Sequence, residues 1–273
     1  MAHWNMHTDI PWDRFDPSKA DPAFVRIVKA ASLVEFNAAD YVSYLKQVFP
    51  GDAQFQADAE VWGDEETQHG NSLRKWAELA DPTFNFDASF KRFTEGYQQV
   101  PKEVSASVRG SRTGELIARC IVEMGTSNYY TAIKEATNEP ALKILAGKIA
   151  ADELRHYKLF YDALQRYRKE EGLGLLARLK VALKRVIESS DDELAYAYFA
   201  ANAAPDEVYN RKTYSRLYAR YAYSLYHRRH IDMMAAQLFK AVGLKPHTRL
   251  YRAVTALGWR LVRWQQRSLQ TAA

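Results

Sequence analysis

The sequence predicts an all-α fold in which a four-helix bundle is followed by additional C-terminal helices. Glycine and proline, which interrupt helices, are scarce, at 12 and 9 among 273 residues. Hydrophobic residues make up 47% of the chain and charged residues 26%, the balance of a globular protein with a substantial core. Good helix formers dominate the stretches between the few breakers, so we expect helix almost throughout.

The first half of the bundle is an expected pair of helices. Asp21 followed by Pro22 is an N-cap with proline at the first helical position, and the helix that begins there should continue to about residue 48. The second helix should cover residues 52–80 and end before an Asp-Pro pair. A short turn between the two makes them antiparallel neighbours.

The second half repeats this pattern after a long connection. Residues 81–110, with Pro82, Pro101 and Gly110, have a mixed pattern that predicts a long connection. The third helix should cover residues 111–137, and Glu139-Pro140 should open a fourth that runs to about residue 171. A helix pair, a long connection and a second pair form the ferritin-like topology, a four-helix bundle with one crossover.

Three regions follow from these boundaries. We expect an N-terminal extension at 1–20, the ferritin-like bundle at 21–172, and a basic C-terminal helical region at 173–273 that packs on the bundle. Helices in the last region should cover about 174–189, 191–203, 206–241 and 246–269.

Carboxylates and imidazoles recur at a spacing that suits a metal centre. The motif Glu-x-x-His occurs at 66–69 and 153–156, and residues three apart share one face of a helix. Glu35 lies 31 residues before the first motif, and Glu123 lies 30 residues before the second, each on the preceding helix. An antiparallel helix pair brings such positions to the same height.

Each half of the bundle therefore offers one Glu from one helix and a Glu-x-x-His pair from the next, which is the di-iron arrangement of ferritin-like proteins. Glu35 and Glu123 are flanked by apolar residues, which argues against simple surface charges. Four carboxylates and two imidazoles also balance two divalent ions in an apolar core. The sequence predicts two iron ions bound by Glu35, Glu66, His69, Glu123, Glu153 and His156.

The residues around these motifs point to a family. Residues 62–70 resemble the first iron-binding helix of the soluble acyl-carrier-protein desaturases, which carry tryptophan four residues before the ligand Glu and glycine after the His. Residues 149–156 are similar to the second such segment and differ chiefly at Leu154. Thr126, three residues after Glu123, matches a threonine near the oxygen-binding side of the metal pair. The similarity covers about residues 25–160.

The resemblance implies an oxidoreductase that uses two iron ions (Fe2+/Fe3+) and O2 as co-substrate to insert a double bond into a fatty acyl chain. The substrate would be carried on acyl carrier protein, and an electron donor such as a ferredoxin would supply the reductant. Thr126 would take part in the oxygen chemistry. Glu66 and Glu153 would bridge the irons, and Asp152 would support an imidazole.

Related activities stay as alternatives. A ribonucleotide reductase small subunit would need a tyrosine where Leu73 stands, and an arylamine N-oxygenase carries an additional His where Ile149 stands. Aldehyde-deformylating oxygenases share the spacing of all six ligands. A di-iron hydroxylase, an N-oxygenase, a deformylating oxygenase and a non-catalytic iron- or lipid-binding protein therefore remain open.

Charge is distributed unevenly along the chain. Residues 171–273 hold 17 Lys and Arg against 8 Asp and Glu, a balance of +9, which leaves 21 basic and 25 acidic residues and a balance of −4 in 1–170. A basic region suits an acidic acyl carrier protein, and the last helix with its arginines and tryptophans also suits an anionic membrane surface. A homodimer is a further candidate assembly. We expect no nucleic-acid partner, because no recognised motif accompanies the charge.

Other features limit the compartment and the cofactor. Cys120 is the only cysteine, which excludes an internal disulfide and a metal site built from several thiolates. No uncharged apolar run is long enough to span a membrane, and residues 1–9 lack the apolar segment of a secretory signal, so we expect a cytoplasmic protein. We expect His227, His230 and His247 at the surface.

Overall fold

The computed structural model describes residues 3–97, 100–101, 103–188 and 192–270. All regular secondary structure within these residues is helical, which confirms the predicted all-α class. The expected helix boundary at 189–191 and the ends of the N- and C-terminal regions, at 1–2 and 271–273, lie outside the described residues. None of the described helices combines the length and the apolar character that crossing a membrane requires.

Two short 3-10 turns, Trp12–Arg14 and Pro17–Lys19, precede the α-helices. The α-helices follow in this order: α1 (Pro22–Phe36), α2 (Ala38–Val48), α3 (Ala53–Ala80), α4 (Phe86–Gly96), α5 (Arg112–Ala136), α6 (Pro140–Glu171), α7 (Leu175–Glu188), α8 (Asp192–Asn202), α9 (Arg211–Ser224), α10 (Arg228–Ala241) and α11 (Arg249–Gln270).

The capping residues of the four expected bundle helices agree with the sequence signals. The side chains of Asp21, Asp52 and Ser111 accept hydrogen bonds from the first-turn N–H groups of α1, α3 and α5. Glu139 does the same for α6, and Gly172 ends α6 with a φ of 63°. These caps satisfy backbone groups that a helix end leaves free, so α3, α5 and α6 begin and end within one residue of their predicted bounds.

The first expected helix is wrong as one continuous element, because it breaks at Asn37. The backbone N–H of Asn37 bonds to the carbonyl oxygen of Val34, a tightened turn that ends α1. Phe36 then packs edge-on against Phe86 and Phe90 of α4, with ring centroids 5.3 and 5.0 Å apart. No proline or glycine marks this break, which lies beside the aromatic contacts of Phe36.

Two other boundaries differ from expectation. The connection 81–110 contains α4, which the side chain of Asn85 caps by accepting from the N–H of Ala88. The expected helix 206–241 is two helices, α9 and α10. The ring Nδ1 of His230 accepts from the backbone N–H of His227 and thereby caps α10. Local capping contacts of this kind compete with helix continuation.

Four long helices pack together and divide their apolar residues between two clusters. α1 lies on α3, α3 on α6, and α5 along α6. One cluster includes Trp76, Tyr130 and Leu145, and the other includes Phe55 and Phe160. α3, α5 and α6 each contribute to both clusters. The candidate metal ligands of α3 and α6 lie in sequence between the two contributions, and Glu123 lies next to the corresponding junction in α5. The candidate site is therefore enclosed at both ends by apolar side chains.

The remaining segments pack around these helices. α8 packs on α1 and α4, α7 and α10 pack on α5, and α11 packs on α9 and α10. The N-terminal segment also packs on the core, since Trp4 and Ile10 are buried in the first cluster.

Candidate metal centre

The six predicted ligand residues converge between α1, α3, α5 and α6, and all are buried. Glu35 comes from the last turn of α1, Glu66 and His69 from α3, Glu123 from α5, and Glu153 and His156 from α6. They form two groups in which the candidate ligand atoms all lie within 4.8 Å of one another: Glu35, Glu66, His69 and Glu153 in one, and Glu66, Glu123, Glu153 and His156 in the other.

The first group is arranged around Nδ1 of His69. This nitrogen lies 3.2 Å from Oε1 of Glu153, 3.6 Å from Oε2 of Glu66 and 3.9 Å from Oε2 of Glu35. Three carboxylate oxygens from three different helices thus surround one imidazole nitrogen. This is a donor set for one metal ion.

The second group mirrors the first around Nδ1 of His156. This nitrogen lies 3.0 Å from Oε1 of Glu66, 3.7 Å from Oε2 of Glu123 and 3.9 Å from Oε2 of Glu153. Glu66 and Glu153 therefore each turn one oxygen towards His69 and the other towards His156. A carboxylate in that position can bridge two ions, whereas Glu35 and Glu123 each face only one.

Several ligand atoms lack any hydrogen-bond partner among the described residues. They are Nδ1 of His69, Nδ1 of His156, Oε1 of Glu123 and Oε1 of Glu153. Buried polar atoms without a partner are rare in native structures because their desolvation is not offset. Nδ1 of His69, Nδ1 of His156 and Oε1 of Glu153 belong to the two donor sets described above, and their chemistry, carboxylate oxygen plus imidazole nitrogen, suits iron. The residues present fit two metal ions.

The carboxylates repel one another in this dry site. Burial raises the pKa of Glu35 and of Glu123 well above the ordinary value, and the neighbouring carboxylates Glu66 and Glu153 raise it further. Burial also favours neutral Glu66, but the adjacent Glu35 and the two imidazoles favour its charged form and hold the pKa of Glu66 well below its usual range. Such opposed shifts are typical of functional clusters, and two cations would relieve the repulsion.

The imidazoles respond in the opposite direction. Burial lowers the pKa of His69, but the adjacent carboxylates of Glu153 and Glu66 outweigh it and raise the pKa to about 9. The pKa of His156 is also raised, against the effect of burial, by Glu153, Glu65 and Glu66. Both rings thus lie in a strongly negative environment.

Two further carboxylates hold the outer nitrogens of the imidazoles. Nε2 of His69 lies 2.9 Å from Oδ2 of Asp152, and Nε2 of His156 lies 2.8 Å from Oε2 of Glu65. Each contact leaves Nδ1 free to face the metal position, since the outer nitrogen is already bonded. The arrangement is crossed, because Asp152 on α6 supports the imidazole of α3 and Glu65 on α3 supports that of α6.

Sequence reasoning predicted the support from Asp152 but missed Glu65. A signal was available, since an acidic residue directly precedes the Glu of each Glu-x-x-His motif.

The N-terminal segment reaches both supporting carboxylates, which the sequence did not indicate. Nε1 of Trp4 donates a 2.6 Å hydrogen bond to Asp152, and Nδ1 of His3 lies 3.3 Å from Oε1 of Glu65. Residues expected to form an extension are therefore part of the surroundings of the centre.

Two hydroxyl groups contact the ligands directly. Oγ1 of Thr126 donates a 2.6 Å hydrogen bond to Oε2 of Glu153, and it also lies 3.2 Å from the backbone carbonyl oxygens of Val122 and Glu123. The hydroxyl of Tyr130 donates a 2.5 Å hydrogen bond to Oε1 of Glu35. The sequence drew attention to Thr126 and missed Tyr130.

Glycine allows close approach of α1 and α3 beside the centre. A Cβ atom at Gly70 would lie 2.5 Å from the backbone nitrogen and 2.6 Å from Cα of Phe36. Gly70 follows His69, and Phe36 follows Glu35, so this contact determines how closely the two ligands meet.

The expectation that three C-terminal histidines lie at the surface is wrong for one of them. His227 and His247 are exposed, but His230 is fully buried, with Nε2 2.9 Å from Oε2 of Glu135. Its capping contact and its bond to α5 explain the burial. None of the three belongs to either ligand group.

No family model matches this chain, and no curated protein matches it closely enough to count as a relative. The class of protein is therefore defined by fold and site alone. The chain is an all-helical protein with a buried cluster of glutamate and histidine side chains that could hold metal.

Proposed function

We propose that this protein is a di-iron, O2-dependent oxidoreductase that acts on a fatty acyl chain. One observation carries the proposal: Glu66 and Glu153 each present one oxygen to His69 and the other to His156. Two adjacent donor sets sharing two bridging carboxylates suit a pair of ions rather than one.

We further propose that α1, α3, α5 and α6 form a ferritin-like bundle. Each half supplies a terminal Glu from one helix and a Glu-x-x-His pair from the next, and the two halves are joined by the connection that contains α4. The crossed support from Asp152 and Glu65 extends this twofold relation beyond the ligands themselves.

Iron bound at this centre would supply the capacity to activate O2 and oxidise an unreactive carbon–hydrogen bond. The protein residues orient and insulate it. Asp152 and Glu65 keep the imidazole Nδ1 atoms directed inward, and the two apolar clusters exclude water at either end. The hydroxyl of Thr126, on α5, donates a hydrogen bond to Glu153.

The choice of an acyl substrate rests on the resemblance of residues 62–70 and 149–156 to soluble acyl-carrier-protein desaturases. A carrier-bound acyl chain and an electron donor such as a ferredoxin follow from the same resemblance. Hydroxylation, N-oxygenation and deformylation use the same kind of donor set. The metal ligands therefore do not distinguish these reactions, and the product must be identified.

The metal assignment is tested by iron content. The purified protein, loaded anaerobically with Fe2+, should retain close to two irons per chain. Glu153→Ala should lose most of the iron while staying helical, because it removes one of the two carboxylates that would bridge the ions. Glu170→Ala, an exposed position on the same helix, is the matched control and should keep the iron. Full retention of iron in Glu153→Ala would refute the site.

The reaction is tested separately. Iron-loaded protein with a chemical reductant, O2 and acyl substrates should consume oxygen in proportion to product, and mass spectrometry should show loss of two hydrogens from the chain. Gain of one oxygen would indicate a hydroxylase, and loss of the terminal carbon a deformylating oxygenase. Iron retention without substrate-dependent oxygen consumption would indicate a non-catalytic iron protein.

A further inference from the structure

The outer face of α11 carries an apolar stripe that no other described part of the chain covers. Its members recur at spacings of four and three residues, so they share one face of the helix. Their exposed fractions are 57% for Leu250, 37% for Val254, 58% for Leu257, 56% for Leu261 and 68% for Trp264. The opposite face of α11 includes the buried residues Tyr251 and Thr255 and packs on α9 and α10.

Positive charge accompanies this stripe without local compensation. α11 contains five arginines and no aspartate or glutamate: Arg249, Arg252, Arg260, Arg263 and Arg267. The first four are exposed and make no ion pair with a described residue. The arginines of α10 differ, since Arg228 pairs with Asp232 and Arg229 pairs with Glu135. α11 thus carries a net charge of +5, more than any other helix of the C-terminal region.

We propose that α11 lies flat on an anionic membrane surface, with its apolar stripe among the outer parts of the lipid chains and its arginines at the level of the phosphates. A helix with a basic face beside an apolar face that includes tryptophan is the recognised form of an interfacial anchor. Anionic headgroups attract clustered arginines, and the amphipathic indole of Trp264 suits the interface. The metal centre, built from α1, α3, α5 and α6, takes no part in this contact.

A second helix combines basic and exposed apolar residues in the same way. α7 exposes Leu176, Leu183 and Ile187 together with lysines. Near the start of α7, Arg178 lies against Gly243 in the connection that leads to α11, where a Cβ atom would be 2.5 Å from its Nη1. α7 therefore carries a second basic amphipathic surface, and its first turn contacts the loop between α10 and α11.

Lipid explains the composition of α11 better than a protein partner does. The spacing of the stripe also suits a coiled-coil seam with a second copy of the chain. The positions flanking the seam, however, include Arg260 and Arg267 and no acidic residue that a copy would need opposite them. An acidic protein would satisfy the arginines, but charge-driven docking does not require five exposed apolar side chains beside them.

Vesicle co-sedimentation of the whole protein tests the proposal. The protein should bind vesicles of phosphatidylcholine mixed with phosphatidylglycerol and should not bind phosphatidylcholine alone. Binding should weaken as salt rises from about 0.1 M to about 1 M, because the screening length falls from about 10 Å to about 3 Å. Brominated lipid should quench tryptophan fluorescence, and this quenching should be lost in Trp264→Phe.

Paired substitutions separate charge from apolar contact. Arg260→Glu with Arg263→Glu should weaken binding by about 25-fold or more, about fivefold for each arginine removed. Leu257→Ser with Leu261→Ser should weaken it by more than about tenfold. Lys91→Glu with Lys143→Glu, and Val61→Ser with Leu79→Ser, place matched changes on exposed positions of α3, α4 and α6 and should leave binding unchanged. Circular dichroism checks that each variant remains helical.

Specific outcomes would overturn the proposal. The proposal fails if the wild-type protein does not bind vesicles, or binds them equally with and without phosphatidylglycerol. It also fails if the two control pairs weaken vesicle binding as much as the substitutions in α11 do. A dimer in lipid-free ultracentrifugation that Leu257→Ser with Leu261→Ser dissociates would assign the stripe to a second copy. Binding of acyl carrier protein that requires Arg260 and Arg263 and that anionic vesicles do not displace would assign α11 to that protein.

Discussion

Nε1 of Trp4 donates a hydrogen bond of 2.6 Å to Oδ2 of Asp152, the same oxygen that lies 2.9 Å from Nε2 of His69. The indole is also stacked on the His69 ring, with the centroids 6.0 Å apart and the planes within 7°. Two residues 148 positions apart in the chain thus orient one candidate ligand together. The N-terminal segment is part of the support of the centre.

Trp4→Phe should weaken iron binding at the His69 position by up to about tenfold, because the ring remains but Asp152 loses a donor that fixes its orientation. Titration against a competing chelator measures this affinity. Trp12→Phe is the matched control, since the Trp12 indole bonds to the carbonyl oxygen of Met6 in the same segment. Equal affinities in the two variants would show that the Trp4 hydrogen bond has no influence on the metal.

Asp152→Asn and Glu65→Gln should each weaken one of the two iron positions by about 10- to 100-fold, since each removes the carboxylate behind one imidazole. Iron titration should therefore become biphasic in either variant, with one tight and one weak equivalent. Asp162→Asn, an exposed carboxylate on α6 paired with Lys158, should leave the titration unchanged. A uniform loss of both irons in the single variants would contradict independent support of the two positions.

Thr126→Val should keep close to the wild-type iron content, because valine is nearly the same size and Thr126 is not a ligand. It should reduce the yield of product per O2 consumed, since the hydroxyl that bonds Glu153 is lost. Thr126→Ser restores a hydroxyl and should recover most of the yield. The hydroxyl has no part in the chemistry if valine and threonine give the same yield at equal iron content.

Gly70→Ala should destabilise the fold by about 1–3 kcal/mol, because the new methyl group would press on the backbone of Phe36 and separate α1 from α3. Iron content should fall with it, since Glu35 and His69 are adjacent to the contact. Gly125→Ala is the control, with open space around its Cβ, and should be neutral or stabilising. Urea denaturation measures both. A Gly70→Ala protein as stable as Gly125→Ala would show that the helices do not approach this closely.

The sequence predictions of helix bounds and of the candidate ligands rested on periodicity, residue spacing and local capping. The bounds of α3, α5 and α6 follow from caps and breakers that act within a few residues, so they can be recognised without tertiary information. The spacings of Glu35 from Glu66 and of Glu123 from Glu153 predicted that these carboxylates meet, because antiparallel helices joined by a short turn relate such positions geometrically.

Other features depended on contacts between distant segments. The break at Asn37 lies where Phe36 packs against the aromatic rings of Phe86 and Phe90 on α4, and no proline or glycine marks it in the sequence. The sequence predicts that His230 lies at the surface. It is buried instead, because it caps its own helix and bonds Glu135 on α5.

The sequence by itself determined the helical class, most helix ends and the six candidate ligands, because those depend on local propensity and regular spacing. Only the tertiary structure decided that Trp4 reaches Asp152, that Glu65 supports the opposite imidazole, and which face of α11 stays uncovered. These depend on how whole helices are placed against one another. The packing energy that sets those placements is spread over many residues far apart in the chain.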